Sequence, residues 1–151
     1  MSLIPAYINA SELAGLVLDS KKISGRDYIV IDARDTDFVG GHIPGAVNVP
    51  AHNLDKRVDD LIDKYQGVPL VVFHCAWSQI RGPKSARKYL GAVQERLKTA
   101  PLNGPLHNQQ VRILRGGFNS WYRQYALATP PKWELIEGYD QKEWMAQDRE
   151  M

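Results

Sequence analysis

The residues with the clearest chemical potential lie in Phe73-His74-Cys75-Ala76-Trp77-Ser78-Gln79-Ile80-Arg81-Gly82-Pro83, which holds the only cysteine of the chain and a Cys-x5-Arg spacing. The apolar run Leu70-Val71-Val72-Phe73 before it reads as a buried strand, and Pro83 suits the first turn of a following helix. A loop that wraps into a helix N-terminus presents several backbone N–H groups to one point and suits a phosphate-like anion. The same field acts on sulfur, because a thiolate at a helix N-terminus beside a guanidinium can have its pKa lowered to roughly 3.5–7.5. Cys75 is therefore expected to be ionised near neutral pH and nucleophilic. Arg81 is expected to return over the loop and grip two oxygens of the anion with its planar fork. Cys75 and Arg81 are the candidate catalytic residues, and Ala76, Trp77, Ser78, Gln79, Ile80 and Arg81 form the candidate oxyanion-binding loop.

Each of these residues also has a plain structural use. A single cysteine after an apolar strand often serves as a small buried hydrophobe, and a histidine such as His74 at a strand end commonly satisfies backbone groups. Ser78 either donates to the sulfur or braces the loop. Trp77 either stands at the entrance or folds back onto the domain. Lys84 and Arg87 suit a solvated helix face as well as a cationic rim. No general acid is evident: Asp35 and Asp37 are the candidates by residue type, but both read as residues of a solvated turn. His42, His52, His74 and His107 lack metal-ligand spacing, so no metal and no resident cofactor are expected.

Around this loop, short β-branched runs alternate with helical spacing. Strands are expected at 6–8, 28–31, 46–49, 70–73 and 111–114, and helices at 9–18, 53–65, 83–97 and 118–125. Alternation of this kind implies crossover connections, hence a mainly parallel sheet of about five strands with helices on both faces. Residues 98–110 read as a long polar loop, and a short helix carrying Trp133 and Trp144 is expected to end the chain. The length of 151 residues suits one domain, which buries roughly 68–70% of its unfolded surface. A single α/β domain over 1–128 with a tail over 129–151, packed on it or partly mobile, is the expected organisation.

With 19 basic and 17 acidic residues the formal charge is +2, too little for a nucleic-acid groove. No run approaches the roughly 18 apolar residues of a membrane span, and the N-terminus lacks a secretory pattern. A lone cysteine excludes an internal disulfide and suits a reducing, cytoplasmic or nuclear setting. Neither nucleic acid nor membrane is an expected partner, and the chain is expected to be a monomer or weak dimer.

The string His74-Cys75-x5-Arg81-Gly82-Pro83 resembles the active-site signature of the cell-division-cycle-type phosphatases and small arsenate reductases within the rhodanese superfamily. Ile31-Asp32-Ala33-Arg34 is similar to the superfamily's Asp-x-Arg strand end. Gly41-His42-Ile43-Pro44-Gly45-Ala46 resembles its Gly-His-Ile-x-Gly-Ala signature, and Gly116-Gly117-Phe118-Asn119-Ser120-Trp121 its last helix. The resemblance implies a single rhodanese-like domain. Asp32, Arg34, His42 and His74 are expected to support the structure rather than react, while Phe118 and Trp121 read as core.

Loop length separates chemistries within the superfamily. Sulfurtransferases resemble one another in a loop one residue shorter, so the longer one here implies a tetrahedral oxyanion substrate, phosphorylated or arsenate. Ala76 stands where the mitotic phosphatases carry an acidic residue, and their second cysteine is missing. Both departures count against a dedicated mitotic phosphatase, and the string is more similar to the small plant and fungal arsenate reductases and phosphatase-like proteins. A phosphatase of the phosphotyrosine or dual-specificity type would pass through a cysteinyl-phosphate. An arsenate reductase would need an external thiol, glutathione or glutaredoxin, because the chain has no second cysteine. A non-catalytic binding module and a thiosulfate-type sulfurtransferase are the alternatives.

Overall fold

The computed structural model describes residues 4–148. Its strands are β1 (Ala6–Ile8), β2 (Ile29–Asp32), β3 (Val47–Asn48), β4 (Leu70–His74) and β5 (Gln110–Leu114), all parallel and ordered β1-β5-β4-β2-β3. The helices are α1 (Ala10–Leu18), α2 (Leu54–Tyr65), α3 (Arg81–Leu97), α4 (Gly117–Tyr125) and α5 (Gln141–Asp148).

Strand alternation divides the core in two. On one face Ile8, Val30, Val72 and Leu114 pack against α1 and α4 through Leu13, Phe118 and Trp121. On the other, Ile31, Val71, Phe73 and Ile113 meet α2 and α3 through Leu61, Ile62, Ala86 and Tyr89. The parallel sheet with helices on both faces agrees with the expectation from the sequence.

The differences are local. α3 begins at Arg81 rather than at Pro83. A proline in the first turn removes an N–H that would have no intrahelical partner anyway, so the helix can start before it. β3 shrinks to its two central residues. The polar stretch after α3 contains a 3-10 turn, Pro105–Asn108, that buries Leu106.

The tail crosses the α1/α4 face. Leu135, Ile136 and Trp144 join that core, and Trp121 Nε1 donates to the Leu135 carbonyl at 2.8 Å. Trp133, expected on the last helix, lies instead in a 3-10 turn ahead of it and is exposed. Residues 149–151 of the expected tail are outside the described residues. Among those described, no helix is long and apolar enough to cross a membrane.

If Leu135 is as much a part of the core as Leu13, Leu135→Ala lowers the unfolding free energy by about 2–5 kcal/mol, the usual cost of emptying a buried leucine site. Urea denaturation followed by tryptophan fluorescence measures it; a loss under about 0.5 kcal/mol would mark the tail as separable.

Candidate active site

Strand pairing brings three motif loops together. Ile31 and Asp32 of β2 pair with Phe73 and His74 of β4, and Phe73 pairs with Ile113 of β5. The loops that leave the carboxyl ends of these central strands are therefore neighbours, at the edge where open parallel sheets bind ligands.

The loop Cys75–Ile80 is clamped from both sides. The α4 amides of Phe118 and Asn119 donate to the carbonyls of Cys75 and Ala76 at 2.9 and 2.8 Å. Gly117 must be glycine there: it has φ +61°, and a Cβ would lie 2.5 Å from the Ala76 oxygen. On the other side a Cβ on Gly82 would lie 2.9 Å from the His74 backbone, so the first turn of α3 can press onto the end of β4 only without a side chain.

A trans peptide points its N–H opposite to its C=O. With the Cys75 and Ala76 carbonyls turned toward α4, the Ala76 and Trp77 amides face away from it. Among the described residues the amides of Ala76, Trp77, Ser78, Gln79 and Ile80 donate to no protein acceptor. Ser78 has φ +55°, an uncommon left-handed conformation for a residue other than glycine. Its hydroxyl is buried and, among the described residues, bonds to no protein group, the Cys75 sulfur included.

Cys75 is 4% exposed and lines a shallow depression of about 140 Å³ with Ala76, Trp77, Gln79, Ile80 and Arg81. Ile80, 74% exposed, stands at its rim. Trp77 folds back onto the domain, with the Arg123 guanidinium 4.8 Å from its ring centroid. Lys84 borders a second, wider depression beside Arg81, while Arg87 is simply exposed.

Arg81 departs from the expected geometry. Its Nη1 and Nη2 donate at 3.0 and 2.7 Å to the two carboxylate oxygens of Asp37, so the fork already holds a carboxylate. Burial pushes the Asp37 carboxyl up, but the hydrogen bonds and charge of Arg81 outweigh it and hold the group below the usual carboxylate range. Asp37, read as part of a solvated turn, is thus half-buried at the site, whereas Asp35 remains exposed.

Behind this pair lies a fully buried one. Arg34 Nε and Nη2 donate to both oxygens of Asp32 at 2.8–3.1 Å. The remaining Arg34 donors reach the carbonyls of Asp37 at 3.1 Å and Gly41 at 2.8 Å, and its guanidinium lies 4.3 Å from the Phe118 ring centroid. Burial would raise the Asp32 carboxyl, yet its neighbours hold it low. Arg34, always charged, is the dependable cause, because burial lowers the pKa of His74 and favours its neutral ring. His74 Nδ1 bonds the Cys75 carbonyl at 2.9 Å, and its Nε2 lies 3.4 Å from Asp32 without hydrogen-bond geometry.

His42 is not among the residues lining the depression beside Cys75. It stacks on Phe38 and its Nε2 meets Glu137 Oε1 at 2.9 Å, tying the tail to the loop after β2. No group of His, Cys, Asp or Glu among the described residues could hold a metal ion.

The rhodanese-like domain family matches residues 12–124. The chain belongs to that family. It is 32% identical over 132 residues to the dual specificity phosphatase ibp1 of Schizosaccharomyces pombe, covering 80% of this chain and 90% of that one. Among solved structures, Ygr203w of Saccharomyces cerevisiae, described as a homolog of single-domain rhodanese and the Cdc25 phosphatase catalytic domain, superposes with a TM-score of 0.68. The identity is 26%, over 92% of this chain and 91% of that one. The As-Sb reductase of Leishmania major gives a TM-score of 0.63 at 29% identity, over 87% of this chain and 84% of that one.

Asp32→Asn removes the counter-charge of a buried guanidinium and is expected to cost about 3–5 kcal/mol of stability. The acid response carries the sign. Asp32 and Asp37 both sit below the ordinary value of 3.8, so their stabilisation is complete above that pH and fades as pH falls through the lower folded values. Urea midpoints measured from neutral pH down to about pH 2 should therefore fall less for Asp32→Asn than for the unaltered chain. Parallel curves would refute the assignment.

Proposed function

We propose that Cys75 is the nucleophile of an enzyme acting on a tetrahedral oxyanion, and that the amides of Ala76 to Arg81 hold that anion. The observation that carries this reading is the run of loop amides with no protein acceptor beside the sulfur, at the N-terminus of α3. The relatives named as phosphatases and as an As-Sb reductase support it.

As a phosphatase, the Cys75 thiolate attacks phosphorus and the bond to the leaving oxygen breaks, giving a cysteinyl-phosphate. Water then cleaves the S–P bond, which releases inorganic phosphate and restores the thiol. Loop amides and donors of Arg81 bear the charge that develops on the equatorial oxygens. Asp37 is ionised and so cannot protonate the leaving group, and no carboxyl lines the depression beside Cys75. The substrate must then supply a good leaving group, as an aryl phosphate does.

Arsenate reduction is the second reading, favoured by the likeness to the Leishmania enzyme. Cys75 displaces a hydroxyl of arsenate to give an S–As(V) adduct. A glutathione thiolate attacks the Cys75 sulfur, the S–As bond breaks, and arsenic takes the electron pair and leaves as arsenite. The Cys75–glutathione disulfide is then opened by a second thiol, from glutathione or glutaredoxin, so that two thiols supply the two electrons. External thiols follow from the single cysteine. A reducing compartment, cytoplasm or nucleus, is part of this proposal.

Rates with an aryl phosphate, with arsenate plus glutathione and glutaredoxin, and with thiosulfate plus cyanide decide among the chemistries. Aryl phosphate or arsenate turnover that falls to background in Cys75→Ser is the expected result. Turnover that survives Cys75→Ser would remove the nucleophile assignment. Thiocyanate formation at comparable efficiency would move the chain to sulfur transfer.

A further inference from the structure

Asp37 lies outside the Cys-x5-Arg segment, on the loop after β2, and enters the site only through Arg81. We infer that Asp37 is a positioning residue: its carboxylate occupies the Nη1–Nη2 edge of Arg81 and leaves the Nε edge to receive the tetrahedral anion. This rests on the oxyanion reading of the Cys75 loop.

A guanidinium can be gripped along more than one edge, since its donors lie in a rigid plane. Asp37 takes the end edge with a two-point contact, while Arg81 Nε donates to no protein acceptor among the described residues. A two-point contact fixes the plane of the fork as well as its place, which a single hydrogen bond does not. Asp37 is itself held from behind, because Arg34 Nη1 donates to its backbone carbonyl at 3.1 Å and its Oδ1 accepts from the Asp35 amide at 2.8 Å. The carboxylate is thus pre-set before an anion arrives. A side chain as long as arginine would otherwise lose considerable rotamer freedom on gripping the substrate.

Asp37 could instead act as a competitor that blocks Arg81. The two roles predict opposite shifts. If Asp37 positions the fork, losing its charge weakens oxyanion binding; if it competes, losing the charge strengthens binding.

Protection of Cys75 against iodoacetamide by tungstate, an unreactive tetrahedral oxyanion, separates these outcomes on the full chain, where one cysteine makes the readout unambiguous. In Asp37→Asn the half-protecting tungstate concentration should rise about tenfold, read relative to that variant's own alkylation rate without tungstate. Asp37→Glu, which keeps the charge, should recover most of that loss. It also serves as the test if the asparagine variant does not fold, then shifting the midpoint by no more than about threefold. In an Arg81→Lys background, Asp37→Asn should have little further effect, because the residue acts through the guanidinium. An unchanged or lower tungstate midpoint in folded Asp37→Asn, or a full additional loss in the Arg81→Lys background, overturns the inference. No protection of the unaltered chain by tungstate would instead overturn the oxyanion reading, and the inference with it.

Discussion

The buried pair Asp32–Arg34 is the interaction on which the rest of the site depends. A charge this deep is tolerated only when paired and hydrogen-bonded, and Arg34 meets that demand by reaching beyond Asp32. Its remaining donors fix the carbonyls of Asp37 and Gly41, and its plane lies against Phe118 at the start of α4. One guanidinium thereby ties the loop after β2 to the helix whose amides orient the Cys75 loop. What looks like a strand-end motif in the sequence is the common anchor of two loops that must hold a fixed distance.

Much of the fold was legible because its signals are local. Ile29 to Ile31 and Val71 to Phe73 announce buried strands by composition, and the alternating faces follow from the pleat. The start of α3 was not, because proline marks a first turn without saying which position of it. The Cys75–Ile80 loop could be placed from Cys75 and Arg81, and the need for glycine at 82 and 117 makes sense once both neighbours press against it. Asp37 was missed for a different reason. Its partner is far along the chain, and nothing in Asp35-Thr36-Asp37 distinguishes a solvated turn from one carried under α3. Its closeness in sequence to Arg34 is the only hint, since a buried arginine at a strand end must spend its outer donors on the backbone just beyond.

The electrostatics follow a consistent division. Each arginine of the site is matched edge-on by one aspartate, and each aspartate is thereby kept ionised. Neither carboxyl is then available to give up a proton near neutral pH, and His74 is buried with its Nδ1 on the Cys75 carbonyl. The two carboxyls thus serve as counter-charges to arginine rather than as proton donors. That matches a reaction whose burden is stabilising a trigonal-bipyramidal anion, and it shifts the demand for acid assistance onto the substrate.

On the proposed oxyanion reading, this division also accounts for a loop without any acidic residue. In a site where Arg81 stood free, its long side chain would sample many conformers, and each anion captured would have to order it at an entropic cost. A carboxylate placed within the loop could fix the guanidinium but would sit beside the amides that the anion needs, adding repulsion where charge is developing. Asp37 avoids that conflict by approaching from another strand end, on the edge of the fork away from its Nε. The side chain at position 76 can then be a mere methyl group, and the depression beside Cys75 keeps no negative charge of its own.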